Sequence, residues 1–384
     1  MKKFILIIHI FVLSIAFADD QPDIYILCEG FWGEGNGSLW SISDGEINQE
    51  FNMIGDVSQS IYSHREWLFV ANNASSSIQV YRIGDSGVYL ENEIDTNGSG
   101  PREMLVHNNK LYFTNWNSMD MKVIDLDTYQ EVGSVSFTDM PEDIVTDGES
   151  IWVSLMLQSD YTDGSKVSKI DPVQLEVIDE YDVGAGPNEM VFHEGNVYIS
   201  RTWYDENWNA FYGTSMIDSD GSVFSAEYGQ GSVCGGGVML HQESVYRSFN
   251  GGIAPIDENL ELIESSRIGD YGQYNVYSVE SIDNLIYFGL SDFGSSNHVA
   301  VVDSFGNEQA FFDTGLLPGD FAKDQRCSMV GDINMDYGTD ISDVIELVSF
   351  IHDNNHVVDC DPNINGDSIV DILDIVILVS MILG

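Results

Sequence analysis

The sequence predicts an all-β fold, a seven-bladed β-propeller closed by pairing of its N- and C-terminal strands, followed by a small all-α tail domain. Three observations predict it. A unit of one apolar strand, a short polar turn and a second strand bearing an aromatic recurs along the chain, starting at residues 58, 101, 141, 187, 235 and 276. The two ends of the repeating region carry complementary halves of one further unit. Beyond residue 327 strand alternation stops, and two similar loop-and-helix segments follow.

The unit is clearest in "PREMLVHNNKLYFT" from Pro101, "PEDIVTDGESIWVS" from Pro141 and "PNEMVFHEGNVYIS" from Pro187. Each places an aromatic eleven residues after its proline: Tyr112, Trp152 and Tyr198. Copies without the proline keep the step from Ser58 to Phe69, Gly235 to Tyr246 and Val276 to Tyr287. A third strand, as in "MKVIDLDT", and a fourth, as in "EVGSVSF", follow each pair. Spacings of 40 to 48 residues between starts suit one four-stranded blade each.

"PGDFAKD" from Pro318 opens a unit and stops, whereas "IYILCEG" from Ile24 begins as a second strand with no first strand before it. Pairing them removes a sheet edge that would otherwise expose a row of backbone donors and acceptors. The composite blade brings the count to seven, with the propeller spanning residues 22–324.

The chain has 384 residues and a formal charge of −49. Such a field repels nucleic acid phosphate and anionic lipid, and attracts divalent cations. Residues 1–18 have the form of a secretory signal: Lys2 and Lys3, an apolar run from Phe4 to Phe17, and small residues at Ala16 and Ala18. Cleavage after Ala18 would leave an exported chain, secreted or at the cell surface, of charge −51. The apolar run is too short for a span, and Asp19 and Asp20 follow at once.

Loops entering the inner strands and loops joining second to third strands share one propeller face. Two residue sets converge there. The first is acidic: Glu103, Asp143, Glu189 and Asp320, each two places after a unit's proline. Clustered carboxylates repel unless a cation, an arginine such as Arg102, or water relieves them. They suit either backbone hydrogen bonds between blades or a cation or ligand site. The second set is aromatic: Trp32, Trp116, Trp203, Tyr204, Trp208 and Phe293. Flat rings beside carboxylates and amides offer stacking plus hydrogen bonding to a sugar. The same rings would equally pack between blades.

His64, His107, His193 and His241 each stand six residues after a unit start, at the opposite face. The propeller sequence shows no nucleophile elbow, HExxH helix or phosphate-cradling glycine loop, so it names no catalytic set. Its repeats, with "KVIDLDTYQEVGSV" ending a blade and "GSGP" or "GAGP" opening the next, resemble the YVTN family of propeller repeats. That resemblance implies fold; the family spans surface-layer, binding and enzymatic proteins.

The tail, residues 327–384, holds eleven acids and no Lys or Arg. In its first segment Asp332, Asn334, Asp336, Asp340 and Asp343 occupy loop positions 1, 3, 5, 9 and 12; in its second Asn363, Asn365, Asp367, Asp371 and Asp374 do so. Calcium takes six to eight hard oxygens, and a twelve-residue loop of this spacing wraps them round one ion, with a carbonyl at position 7, here Gly338 or Ile369. Paired loops each followed by one helix resemble the type I dockerin module. The resemblance implies two Ca2+ ions on these positions and docking to a cohesin-like or cell-surface partner, often in polysaccharide catabolism. Position 6, usually glycine, is Tyr337 and Ser368, and position 1 of the second loop is Asn363, so weaker calcium binding is expected. At the partner-reading positions 10 and 11 stand Ile341-Ser342 and Ile372-Leu373.

Cys327 and Cys360 flank the first loop and helix and form the candidate disulfide. Cys28 and Cys234 belong to non-adjacent blades and are expected as buried thiols. The functional expectation is an exported propeller binding a ligand, carbohydrate among the candidates, or a protein through its loop-rich face, with a calcium-dependent docking tail. A carbohydrate-active hydrolase or lyase on the same tail, and a structural envelope protein, are the alternatives.

Overall fold

The computed structural model describes residues 23–84, 86–231, 237–272, 275–326, 330–334, 338–352, 358, 360, 362–367 and 369–383. The expected signal at 1–18, and Cys234, Cys327, Asp336, Tyr337 and Ser368, lie outside the described residues.

Seven antiparallel sheets form the blades of a β-propeller. Blade 1 runs Pro318–Lys323, Ile24–Cys28, Ser38–Ser43, Glu46–Asn52. Within it Phe321 pairs with Ile26 and Asp320 with Leu27. Beyond that ladder the Asp324 N–H donates to the Asp23 carbonyl at 2.7 Å. Blades 2 to 7 follow in chain order from inner strands Ser58–His64, Pro101–His107, Met140–Thr146, Pro187–His193, Val238–His241 and Val276–Ile282.

Blade 6 departs from four strands. Among the described residues it has three, ending at Gly252–Pro255, and then single bridges from Ile253 to Ile268 and from Ile256 to Leu262. Pro255 has no N–H for a ladder. Two residues on, the Asp257 carboxylate accepts the N–H groups of Asn259 and Glu261 at 2.8 and 2.9 Å, curling the chain before another strand can pair.

The repeated aromatic binds neighbouring blades. Phe69 of blade 2 packs with Met104 and Leu111 of blade 3. Tyr112 packs with Ile144 and Ile151 of blade 4, Trp152 with Met190 and Val197 of blade 5, and Tyr287 with Phe321 and Ile26 of blade 1. These rings are at most 6 % exposed, so truncating one costs on the order of 3–5 kcal/mol. The glycine before Pro101 and Pro187 is steric in origin. Gly186 has φ +67°, and a Cβ there would lie 1.6 Å from the Thr202 carbonyl oxygen.

A shared irregularity positions the site. The inner strands slip register just after their first residue, between Pro101 and Met104, Pro141 and Ile144, Pro187 and Met190, and Val276 and Ser278. A regular strand turns consecutive side chains to opposite faces; a bulge re-aims one of them. Here adjacent residues of one strand, such as Arg102 and Glu103 or Glu142 and Asp143, both reach the central cavity.

The tail contains helices α1 (Ile341–His352) and α2 (Ile372–Leu383). They share a small core of Ile333, Leu347, Val358 and Leu378, with Leu347 and Leu378 each four residues after a loop's last aspartate. Its contact with the propeller includes the Arg65 guanidinium, which donates to the Val358 carbonyl at 3.4 Å. Among the described residues no helix is long and apolar enough to cross a membrane.

Candidate functional site

The inner strands enclose a cavity of about 510 Å³ lined chiefly by polar groups. All four acids expected from the repeat, Glu103, Asp143, Glu189 and Asp320, line it together. So do Glu29, Glu142 and Glu280, which the two-after-proline pattern misses. Glu280 sits four residues into a unit that begins with Val276 and carries serine at the expected place, Ser278. Glu142 is the residue before Asp143, and only the bulge makes it a cavity residue.

Side-chain length divides the acids into two kinds. Asp143 spans blades: its Oδ2 accepts the Met190 N–H at 2.5 Å and its Oδ1 accepts the Ile144 N–H at 2.7 Å. Asp320 repeats this with the N–H groups of Ile61 and Phe321, both at 2.7 Å. These two aspartates are therefore inter-blade latches. Glu103 and Glu189, one methylene longer, line the cavity and accept no hydrogen bond on their carboxyls among the described residues.

Burial and mutual repulsion raise the carboxyls. Burial pushes Asp143 and Asp320 up to about 7 despite their backbone donors. Burial, then the charge of Asp143, brings Glu189 to about 8. Glu103 and Glu280 are raised well above the ordinary range, by burial first and then by Asp320 and other acids of the ring. At neutral pH the cavity holds a partly protonated set able both to donate and to accept.

Arg102 lies among the clustered acids and makes its direct ion pair with Glu142. Its guanidinium forks onto Glu142 of the next blade, with Nε to Oε2 at 3.1 Å and Nη2 on Oε1, while Nη1 donates to Gln59. The Trp116 indole N–H donates to the same Glu142 Oε2 at 2.7 Å, and the guanidinium carbon lies 4.1 Å from the Trp116 ring centre. A planar cation over an indole adds attraction to the ion pair. On the other side of the mouth the Tyr277 hydroxyl donates to Glu29, and Phe293 meets the Tyr277 ring edge-on at 5.8 Å.

The remaining aromatics do not join one platform. Trp203 stacks on Phe211 at 6.1 Å and under Arg201 at 4.9 Å. Tyr204 leans on Trp208 at the tip of the same long hairpin, 6.1 Å between ring centres. Trp32 and Trp208 are 82 % and 80 % exposed. On the opposite face His241 is buried, with its ring nitrogens 2.8 and 2.9 Å from the Ser281 and Ser304 hydroxyls. Burial lowers its pKa.

The two tail loops share one geometry. Asp343 and Asp374 are wholly buried. Asp343 Oδ1 accepts the Ile333 and Asn334 N–H groups at 2.6 and 3.2 Å, and its Oδ2 accepts Asp340 N–H at 2.8 Å. Asp374 accepts Asn365 N–H at 3.0 Å and Asp371 N–H at 2.9 Å. Asp340 and Asp371 in turn receive the N–H groups of Ser342 and Leu373, each at 2.7 Å. In the second loop Asn363 accepts Gly366 N–H at 2.9 Å, and Asp367 accepts Ile369 N–H at 2.9 Å. The donor chemistry of these loop positions is hard oxygen, with no Lys or Arg in the segment, which is what calcium takes. Among the described residues no three His, Cys, Asp or Glu side chains gather as a metal-holding group; Asp336 is outside that set. Cys360 is disulfide-bonded. Cys28 is a buried free thiol, pushed up to about 12 by burial.

The fold defines the chain as a seven-bladed propeller with an acidic axial cavity. No family model matches it, and no curated protein does. Solved structures do. A proposed 6-phosphogluconolactonase from Bacteroides uniformis is similar at TM-score 0.60 and 12 % identity, over 79 % of this chain and 99 % of that one. A second, from Bacteroides fragilis, is similar at 0.56 and 12 %, over 79 % and 98 %. A hypothetical selenium-binding protein from Sulfolobus tokodaii is similar at 0.59 and 8 %, over 79 % and 92 %. At such identities the likeness speaks for the propeller fold alone.

Proposed function

We propose that this is an exported ligand-binding propeller, built of YVTN-type repeats, whose cavity mouth takes a polar, hydroxyl-rich ligand of carbohydrate type. The observation that carries the reading is the pair Glu103 and Glu189. Among the described residues their carboxyls accept no hydrogen bond, and both line a cavity of about 510 Å³, within the range of small-molecule sites. Sugar hydroxyls can donate to a carboxyl oxygen and accept from its proton, while Trp116 packs against Arg102 and Glu142, which line the cavity. A glycan array and titration calorimetry on the full chain test this. Binding that weakens at least tenfold in Glu103→Gln and Trp116→Ala supports the reading; binding indifferent to both overturns it.

The tail, in this reading, is a dockerin-like module holding two Ca2+ ions and seating on a cohesin-like or cell-surface partner. The matched roles of Asp343 and Asp374 support it, as do the exposed Ile341, Ile372 and Leu373 at the two helix starts.

A hydrolase or lyase of polysaccharides is the second reading. It is favoured by Glu189, which at about 8 keeps its proton at neutral pH as a general acid must. Reducing-end release from polysaccharides, abolished in Glu189→Gln, would establish it.

A further inference from the structure

We propose that Ser296, His298 and Asp313 form a nucleophilic triad on the loop-rich face, acting on carboxylic esters with an aromatic leaving group. This goes beyond the ligand reading above and does not depend on it. Ser296 Oγ lies 2.8 Å from His298 Nε2, and His298 Nδ1 lies 2.8 Å from Asp313 Oδ1. A nucleophile at one ring nitrogen and an orienting carboxylate at the other is the arrangement that activates a hydroxyl.

The fold assembles it from three places. His298 and Asp313 are directly paired residues of neighbouring strands in blade 7. Ser296 ends the loop between strands Leu285–Ser291 and Asn297–Asp303. That loop is braced by Asp292, whose Oδ1 accepts the N–H groups of Gly294 and Ser296 at 2.8 and 3.0 Å, and by Asn297, whose amide donates to the Gly294 carbonyl at 3.1 Å. Phe311 packs on the imidazole with ring centres 4.8 Å apart. The ring is therefore held by packing as well as by the carboxylate.

Proton placement follows from charge. Asp313, an acceptor only when ionised, keeps the His298 proton on Nδ1, which leaves Nε2 to accept the Ser296 hydroxyl proton. Ser296 Oγ adds to the ester carbonyl carbon as its proton passes to Nε2. The tetrahedral adduct collapses with cleavage of the acyl C–O bond, and Nε2 gives that proton to the departing phenolic oxygen. Water then attacks the acyl-serine, losing a proton to Nε2; the acid departs and Ser296 Oγ regains its proton. The Ser296 N–H is committed to Asp292 and so is not available to the oxyanion. Phe293 and Phe311, 50 % and 48 % exposed, supply apolar faces for an aromatic leaving group. Asp313 is 93 % exposed at its side chain, where water screens its pull on the imidazole. The triad is accordingly a slow one.

The test uses the full chain, p-nitrophenyl acetate as substrate and a fluorophosphonate as covalent probe. The expected result is probe on the Ser296 peptide, and esterase activity falling at least tenfold in Ser296→Ala and His298→Ala and severalfold in Asp313→Asn. Ser118→Ala is the control: Ser118 lies in the equivalent loop of blade 3 and bonds Asp120, not a histidine, at 2.6 Å. Unchanged melting of the variants separates lost chemistry from lost fold. Probe that maps elsewhere, or activity that survives Ser296→Ala, overturns the proposal.

Discussion

Arg102 and Glu142, on the inner strands of adjacent blades, form a forked ion pair at the cavity mouth, with side chains only 12 % and 7 % exposed. Trp116 completes it, donating its indole N–H to the carboxylate and lying against the guanidinium. A buried pair of this kind fixes geometry more than it adds net stability, because desolvation offsets the attraction.

Breaking one side of that pair should therefore cost more than removing both. Glu142→Ala strands a buried guanidinium, with an expected loss of about 3–5 kcal/mol in denaturant melts. Combining it with Arg102→Met should recover much of the loss. A double variant less stable than either single one would contradict this account.

Aspartate and glutamate at the repeated acid position should respond oppositely to neutralisation. Asp143→Ala and Asp320→Ala leave the Met190 and Ile61 N–H groups without their acceptors, an expected cost of about 1–3 kcal/mol each. Glu103→Gln and Glu189→Gln remove repulsion and break no hydrogen bond among the described residues, so melting at about pH 8 should hold or rise. Equal destabilisation of all four would mean that the glutamates are latches too.

Stability should fall as pH rises across neutrality. The carboxyls of Asp143 and Asp320 at about 7 and Glu189 at about 8 hold protons longer folded than unfolded. Their contribution is fully present below the ordinary carboxylate range and is lost as pH passes through 7 to 8. Thermal melts should drop between about pH 5.5 and about pH 8.5, and Glu189→Gln should flatten the slope. The general repulsion of an acidic chain acts in the same direction but would not depend on that one residue.

Calcium titration should show two sites on the full chain and one in either Asp343→Asn or Asp374→Asn. Chelation should reduce helical circular dichroism, because buried Asp343 and Asp374 otherwise lack a cation in a segment without Lys or Arg. Affinity below that of glycine-containing loops is expected from Tyr337 and Ser368. Calorimetry showing no calcium heat at millimolar metal would overturn the two-ion reading.

The repeat was legible because duplication preserves spacing: the aromatic eleven residues into a unit marks the same inter-blade contact at Phe69, Tyr112, Trp152 and Tyr287. The four acids were legible for the same reason. Glu280 was not, because blade 7 shifts its acid by one alternation of the strand, and Glu142 was not, because a bulge is a hydrogen-bond irregularity with no fixed residue signature. The Ser296–His298–Asp313 arrangement escaped because cross-strand pairing, not sequence spacing, brings Asp313 to the imidazole.

By itself, the order of residues determined that short strands repeat in four-stranded units and that the last segment alternates oxygen-rich loops with apolar helices. Periodicity alone dictates which side chains must be buried. Tertiary structure alone decided which carboxyls latch neighbouring blades and which line the cavity without such a bond among the described residues. That choice turns on one methylene and on the distance to a neighbouring blade's N–H, and such distances exist only once blades are packed side by side.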